Sequence, residues 1–321
     1  MAEPARHPLV SVLVCVYNGE RFLAETIDSV FAQSYPEFEL IAVDDGSTDQ
    51  SAEILRGRND PRLRVIGQKQ QGAPGALDTG LRAAGGAYVC FLDQDDLWLP
   101  DMLASHVDLL ERHPEFDLSF TWYRVIDEAG RDIGVRSNRF RGALDFAGLL
   151  TDFVIGAASN VAVRRPAIER AGGVDSRLPR FYDIDLFLRV ALLRPHNVQA
   201  IPRDLMLYRR HSSQLSRDLG AMNREWDSLL EKLRFLAPRE VASVEKHARS
   251  NMSRYFASVA YESDQFQKGL SLLWEGFAHS PARFLTDRRN WLTTAACLSG
   301  RVLPRSLHRK LERLAGLRRE T

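Results

Sequence analysis

The chain of 321 residues carries 43 basic and 42 acidic side chains, a formal charge of +1, and is 45% hydrophobic and 9% aromatic. This balance excludes a disordered chain and gives no global attraction to nucleic acid, so any charged partner must be met by a local patch. The length suits one domain of about 200 residues with a smaller appendage.

Residues 9–16 are apolar and rich in valine, and Tyr17-Asn18-Gly19 closes the run, which predicts a buried strand followed by a turn. Over residues 21–33, Phe22, Leu23, Ile27, Val30 and Phe31 recur at helical spacing until Tyr35-Pro36. The cycle then repeats, with strands expected over 38–43, 63–66 and 87–92 and helices over 51–55, 75–84 and 100–111. Alternation of this kind implies βαβ units, an α/β fold with a mostly parallel central sheet, and ligands at the C-terminal ends of the strands. After Asp117 the rhythm loosens. Strands are expected over 118–125 and 159–163, a helix from near Asp185, and two short strands over 198–201 and 205–208. Beyond Ser216 only helical patterns remain, so the expected division is an α/β domain over 1–220 and a helical region over 221–321.

Two acidic motifs lie at predicted strand ends. Val43-Asp44-Asp45-Gly46-Ser47-Thr48-Asp49 follows the second strand. Helix capping explains one acid there, but not two. The other motif, Phe91-Leu92-Asp93-Gln94-Asp95-Asp96, places three carboxylates within four residues. Their mutual repulsion calls for a cation or hydrogen-bond donors. Mg²⁺ and Mn²⁺ prefer oxygen ligands, and Mg²⁺ often takes one or two protein carboxylates alongside substrate phosphates. An acidic loop that caps the following helix is the simpler reading of the same residues. Both motifs would face one crevice. The chain has no GxGxxG after the first strand and no GxxxxGK[ST], which argues against a dinucleotide dehydrogenase and a P-loop NTPase.

With these motifs in order over residues 9–216, the sequence resembles the family 2 inverting glycosyltransferases of GT-A fold. The resemblance also rests on Gln33-Ser34-Tyr35-Pro36-Glu37-Phe38-Glu39, Asp93 to Pro100, Asp183-Ile184-Asp185-Leu186-Phe187-Leu188-Arg189 and Tyr208-Arg209-Arg210-His211. It implies transfer of a sugar from a nucleoside-diphosphate donor, expected to be a UDP-sugar, to a hydroxyl of a saccharide or lipid-linked acceptor in cell-surface polysaccharide or glycolipid synthesis. Residue by residue, it implies that Cys15 and Tyr17 line the nucleotide pocket and that Asp45 reads the base. Asp93 and Asp95 form the DxD pair, with Asp95 the direct ligand of Mn²⁺ or Mg²⁺. Asp183 becomes the base, although its position at a helix start also suits simple capping, and Asp185 competes for the role. His211 is read as a metal ligand, a diphosphate contact or an exposed basic residue. Two departures stand out: Tyr182 replaces the usual glutamate before Asp183, and Asp78 replaces a common asparagine at a donor-binding position.

Two alternatives compete. A nucleotidyltransferase would be expected to carry a Gly-rich, basic loop after the first strand, which Val16-Tyr17-Asn18-Gly19 lacks. A catalytically weak sugar- or nucleotide-binding module of the same fold is the other, kept open by Tyr182.

Cys15, Cys90 and Cys297 form no metal or disulfide pattern and fit a reducing cytoplasm. No secretory leader or uninterrupted span of about eighteen apolar residues is expected. At the C-terminus, Leu303, Leu307, Leu311 and Leu314 share a helical face flanked by Arg301, Arg305, Arg309, Lys310 and Arg313. Such a helix suits either ordinary packing or peripheral contact with an anionic inner membrane surface.

Overall fold

The computed structural model describes residues 8–212, 214 and 218–303. The chain divides into two compact units. The first comprises residues 1–130, 135–146 and 154–209; the second comprises 131–134, 147–153 and 210–321.

The first unit is built on β1 (Val10–Val16), β2 (Phe38–Asp44), β3 (Leu63–Gly67) and β4 (Tyr88–Asp93), with α1 (Leu23–Phe31), α2 (Ser51–Arg56) and α3 (Gly72–Ala83) as the connections. These four strands are mutually parallel in the order β3-β2-β1-β4. Val10, Val12, Val14 and Val16 are buried together with Leu13, as expected for a central strand covered on both faces. Helix α1 buries Leu23, Ile27 and Val30, the stripe anticipated from their spacing. β5 (Leu97–Trp98) and α4 (Met102–Arg112) follow.

Beyond β4 the sheet continues through β9 (Val161–Arg164), β6 (Leu118–Ile126) and β10 (Val198–Arg209), with β5 at the end. Strand β9 is antiparallel to both β4 and β6, while β6 and β10 run parallel. β7 (Asp132–Arg136) and β8 (Ala143–Leu144) pair with β6 and β10 respectively. The short helix α5 (Phe146–Asp152), a 3₁₀ turn at Ala158–Asn160, and helices α6 (Arg165–Arg170) and α7 (Tyr182–Ala191) complete this part of the chain.

Two expectations are corrected. The separate strands over 198–201 and 205–208 are one twelve-residue strand, β10, whose register shifts between Ile201 and Asp204 and again before Met206. Pro202 cannot donate to a ladder, and the strand absorbs it as an irregularity without ending. Helix α7 starts at Tyr182, three residues before Asp185, so Asp183 and Asp185 both fall in its first turn.

The second unit is predominantly helical: α8 (Leu219–Leu236), α9 (Pro238–Glu262), α10 (Phe266–His279), α11 (Pro281–Thr286) and α12 (Arg288–Val302). Leu229, Leu230, Leu233, Met252, Phe256 and Ala257 form part of its buried interior. Among the described residues no helix is long and apolar enough to cross a membrane. Most of the basic C-terminal segment, residues 304–321, lies outside the described residues.

Candidate active site

The two acidic motifs end adjacent parts of one sheet: Cys15 of β1 pairs in register with Val43 of β2 and Asp93 of β4. Asp44 and Asp45 have different local tasks. Asp44 Oδ1 accepts from the Ser47 backbone N–H at 3.0 Å. Asp45, only 2% exposed, accepts from Gln68 Nε2 at 2.7 Å and from the backbone N–H groups of Gln71 and Gly72 at 2.8 and 2.7 Å. Its carboxylate therefore fixes the turn leading into α3. Gly46 makes the tight departure from Asp45 at φ +80°, a left-handed conformation that a side chain would strain.

At the end of β4, Gln94 closes a reciprocal pair with β1: the Tyr17 N–H donates to its Oε1 at 2.9 Å and its Nε2 donates to Tyr17 O at 3.0 Å. A Cβ at Gly19 would push the end of the Gln94 side chain out of this pair. The loop is also held from behind. The Thr26 hydroxyl lies 2.9 Å from both Gln94 O and Asp96 O. Asp96 is fully buried and accepts from Ser159 Oγ at 2.6 Å and the Arg209 N–H at 2.9 Å. Ser159 Oγ also receives the Asp93 N–H at 3.0 Å.

Arg209 is the largest of the fully buried side chains. Its Nε donates to Asp95 O at 2.9 Å, Nη1 to Glu128 O at 3.1 Å and Nη2 to Glu25 Oε2 at 2.7 Å, and its guanidinium stacks 4.7 Å from the Phe22 ring centroid. The acidic loop is thus clamped through its backbone and through the buried carboxylate of Asp96.

Electrostatics single out the same place. Asp93 is pushed up to about 7, first by burial and then by the charges of Asp95 and Asp183, against a Ser159 hydrogen bond that lowers it. Asp96 is raised well above the usual carboxylate range by burial and by Asp95 and Asp93. Asp183 is pushed up to about 6 by burial, with opposing backbone hydrogen bonds that include the Ile184 N–H at 2.8 Å. Tyr182 is held far above its ordinary value by burial and then by the negative charges of Asp93 and Asp183. Burial likewise pushes the Cys15 thiol up, with the charges of Asp93 and Asp45 adding to it, so it stays protonated. Carboxylates gathered where water is excluded favour a cation or the hydrogen-bonding groups of a ligand.

The sequence candidates therefore separate. Asp95 and Asp183 lie close enough to act on Asp93, Asp93 on Cys15, and Asp93, Asp183 and Asp95 on Tyr182, so these five candidates share one neighbourhood. Tyr17 is 41% exposed at the adjoining turn. Asp78 is ion-paired with Arg82 on the surface of α3. Asp185 is fully buried and accepts from Arg189 Nε at 2.9 Å and Nη2 at 2.5 Å. His211 belongs to the second unit, where it is buried and its backbone N–H donates to Gln214 Oε1 at 3.4 Å. Among the described residues no three His, Cys, Asp or Glu side chains form a ready-made metal cage. Two neighbouring carboxylates are nevertheless compatible with Mg²⁺ or Mn²⁺ that shares its shell with substrate and water.

Sequence reasoning missed Ser159 and Arg209. The apolar strand ending in Arg209 offered one signal, since a charged residue closing a buried strand needs partners; the adjoining basic residues Arg210 and His211 obscured it. Nothing local distinguished Ser159.

Residues 11–172 match the model of Glycosyl transferase family 2. The chain belongs to this family. Over the first curated relatives, it spans 34%, 39% and 24% of their length. An Escherichia coli UDP-Glc:alpha-D-GlcNAc-diphosphoundecaprenol beta-1,3-glucosyltransferase is 26% identical over 75% of this chain and 95% of its own. Among solved structures, Staphylococcus aureus TarS (residues 1–349) in complex with UDP-GlcNAc aligns with TM-score 0.63 at 17% identity, covering 91% of each chain. A Pyrobaculum calidifontis mannosyltransferase with GDP-Man and Mn²⁺ aligns with TM-score 0.62 at 20% identity, covering 93% of this chain and 87% of the other. The fold of this family 2 member is the α/β GT-A fold, with a mostly parallel central sheet and C-terminal helices.

Proposed function

We propose that the chain is an inverting glycosyltransferase that moves a sugar from a nucleoside-diphosphate donor, a UDP-sugar, to an acceptor hydroxyl in cell-surface polysaccharide or glycolipid synthesis. The observation that carries this reading is the gathering of acids at the end of β4 and the start of α7, where the charges of Asp95 and Asp183 act on the buried Asp93. The uridine donor is supported by the UDP-Glc in the name of the E. coli relative and by the UDP-GlcNAc bound to TarS. That relative's diphosphoundecaprenol acceptor supports a lipid-linked saccharide.

In this mechanism the acceptor oxygen attacks the anomeric carbon from the face opposite the nucleoside diphosphate. A bond forms from that oxygen to carbon, the bond from carbon to the phosphate oxygen breaks, and its electron pair leaves with the diphosphate. Asp183 takes the proton from the acceptor hydroxyl. Burial raises its carboxyl to about 6, which makes it a stronger base than an ordinary carboxylate while leaving it mostly ionised at neutral pH. The Ile184 N–H orients it. Cys15, Tyr17 and Asp45 line the nucleotide end, with Asp45 holding the turn against which the base would rest.

Asp95, with Asp93 beside it, would hold Mn²⁺ or Mg²⁺, which when bound supplies positive charge to the departing diphosphate. Mn²⁺ in the Pyrobaculum neighbour supports this assignment. His211 and Asp78 remain proposals as a metal or phosphate contact and a donor contact; Asp78 would first have to leave Arg82.

The test is incubation with UDP- and GDP-sugars in Mn²⁺, with and without a saccharide-diphosphate-lipid acceptor, following nucleoside diphosphate release and the anomeric configuration of the product. Acceptor-stimulated release and an inverted product are expected. Retention would overturn the single displacement, and absence of both donor binding and release across the panel would favour a binding module of another specificity.

A further inference from the structure

A second charged cavity lies within the helical unit, independent of the site above. His247, Asn251 and Arg254 follow one another at i, i+4 and i+7 on α9 and so share one face. Asn251 and the start of α12 line a cavity of about 510 Å³, to which Arg283, Arg288 and Arg289 contribute guanidinium groups and Asp152 and Asp287 carboxylates. This volume falls in the range of small-ligand sites.

The acids do not satisfy the bases. Asp287 is committed to Arg289 through a fork of hydrogen bonds, Arg289 Nε to Oδ1 at 3.0 Å and Nη2 to Oδ2 at 2.6 Å. It also caps α12 by accepting the Arg289 backbone N–H at 2.9 Å, so the helix end itself is already satisfied. Asn251 is tied to Thr151 O at 2.7 Å and fixes the wall formed by α5. Arg254 is left over: its Nε is buried without a hydrogen-bond partner. The nearby charge of Arg289 adds to its burial in pushing it down to about 10, with Asp287 only partly offsetting the effect. Burial, and then the charge of the exposed Arg283, lower the affinity of His247 for a proton. A guanidinium does not escape such a setting by deprotonating at neutral pH, so a buried donor and like-charged neighbours call for an anion.

We propose that this cavity binds a phosphate-bearing anion, with Arg283 and Arg288 as the anchoring guanidiniums, Arg289, braced by Asp287, at its wall, and the charge of Arg254 beside that wall. Three lining arginines against two lining aspartates leave one positive charge, and Arg254, close enough for its charge to be felt with those of Arg289 and Asp287, adds a second, which together match a phosphomonoester or diphosphate of about −1.5 to −2 better than a single carboxylate. Guanidinium forks also fit phosphate oxygens in pairs. The phosphate could be carried by a soluble molecule or by a lipid headgroup, and the two sources share this chemistry.

The test uses the full chain with chelator present and no sugar nucleotide, titrated calorimetrically with inorganic pyrophosphate and, at equal ionic strength, acetate. Wild type should bind pyrophosphate in clear preference to acetate. The exposed double charge reversal R283E/R288E should weaken it at least tenfold without changing the thermal unfolding profile, and R254M should weaken it as well. A second arm measures co-sedimentation with phosphatidylcholine vesicles with and without phosphatidic acid. Vesicle binding lost in R283E/R288E assigns the phosphate to a lipid; pyrophosphate binding without vesicle binding assigns it to a soluble ligand, and both support the site. No binding of either probe, or binding unchanged in R283E/R288E and R254M, overturns it. D95A should leave pyrophosphate binding intact, so failure of the catalytic reading and failure of this one are separable.

Discussion

Asp183 and Asp185 stand two residues apart in the first turn of α7, and their surroundings separate them. Asp185 is buried against Arg189, whereas Asp183 contributes to the raised pKa of Asp93. Asp183→Asn should therefore keep donor affinity within about threefold while lowering kcat by about 10²–10⁴, as expected for loss of a general base; paired calorimetry and turnover measurements check this. Wild-type transfer should fall as pH drops through about 6, where Asp183 gains its proton, and the amide variant should lack that limb. Near-normal turnover in the variant would move the base elsewhere. Asp93 makes the complementary case. Its folded-state carboxyl is raised to about 7, above the ordinary unfolded value, so the folded state binds the extra proton and loses stability as pH rises between those values. Without metal, Asp93→Asn should raise the melting temperature at pH 8 more than at pH 5 and weaken metal-dependent donor binding. Equal shifts at both pH values would show that the carboxylate is not under repulsion. The acids themselves were legible, because three carboxylates after an apolar strand form a local pattern.

At the scale of elements, the sequence revealed the four parallel strands and their helices, since buried strands are continuous apolar runs and covering helices carry 3.6-residue stripes. It did not reveal how the acidic loop is held. That support comes from the 3₁₀ turn at Ala158–Asn160 and from the far end of β10, which meet the loop only through long-range pairing. Pro202 disguised β10 as two strands for the same reason: local composition signals a break, and the neighbouring β6 carries the strand across it. Arg209 unites Asp95 O, Glu128 O and Glu25 at the C-terminal end of β10. Arg209→Ala should destabilise the protein by about 1–3 kcal/mol, the usual cost of leaving buried acceptors, here Asp95 O and Glu128 O, without their donor, since its charged partner Glu25 is exposed. Denaturant unfolding measures this, and a loss below about 1 kcal/mol would make the clamp dispensable.

At the scale of the whole molecule, the compact units do not follow a single cut in the chain, because residues 131–134 and 147–153 group with the helices that begin after residue 209. No local pattern announces such a return. Thr151 O receives the Asn251 side chain, and the Phe153 ring lies 5.7 Å from that of Trp226 and 6.5 Å from that of Tyr255. Truncation after Arg209 should therefore expose the apolar residues of α5 and yield a less stable protein with a lower melting temperature; an unchanged melting curve would contradict this. The central claim joins the family fold to one cluster of acids that holds a cation and a sugar nucleotide together. Its most direct test is calorimetric titration of wild type and Asp95→Ala with a UDP-sugar, each with Mn²⁺ and with chelator. The account predicts that Mn²⁺ strengthens donor binding to wild type by at least tenfold and has no such effect on Asp95→Ala, while equal Mn²⁺-dependent affinity in both proteins would contradict it.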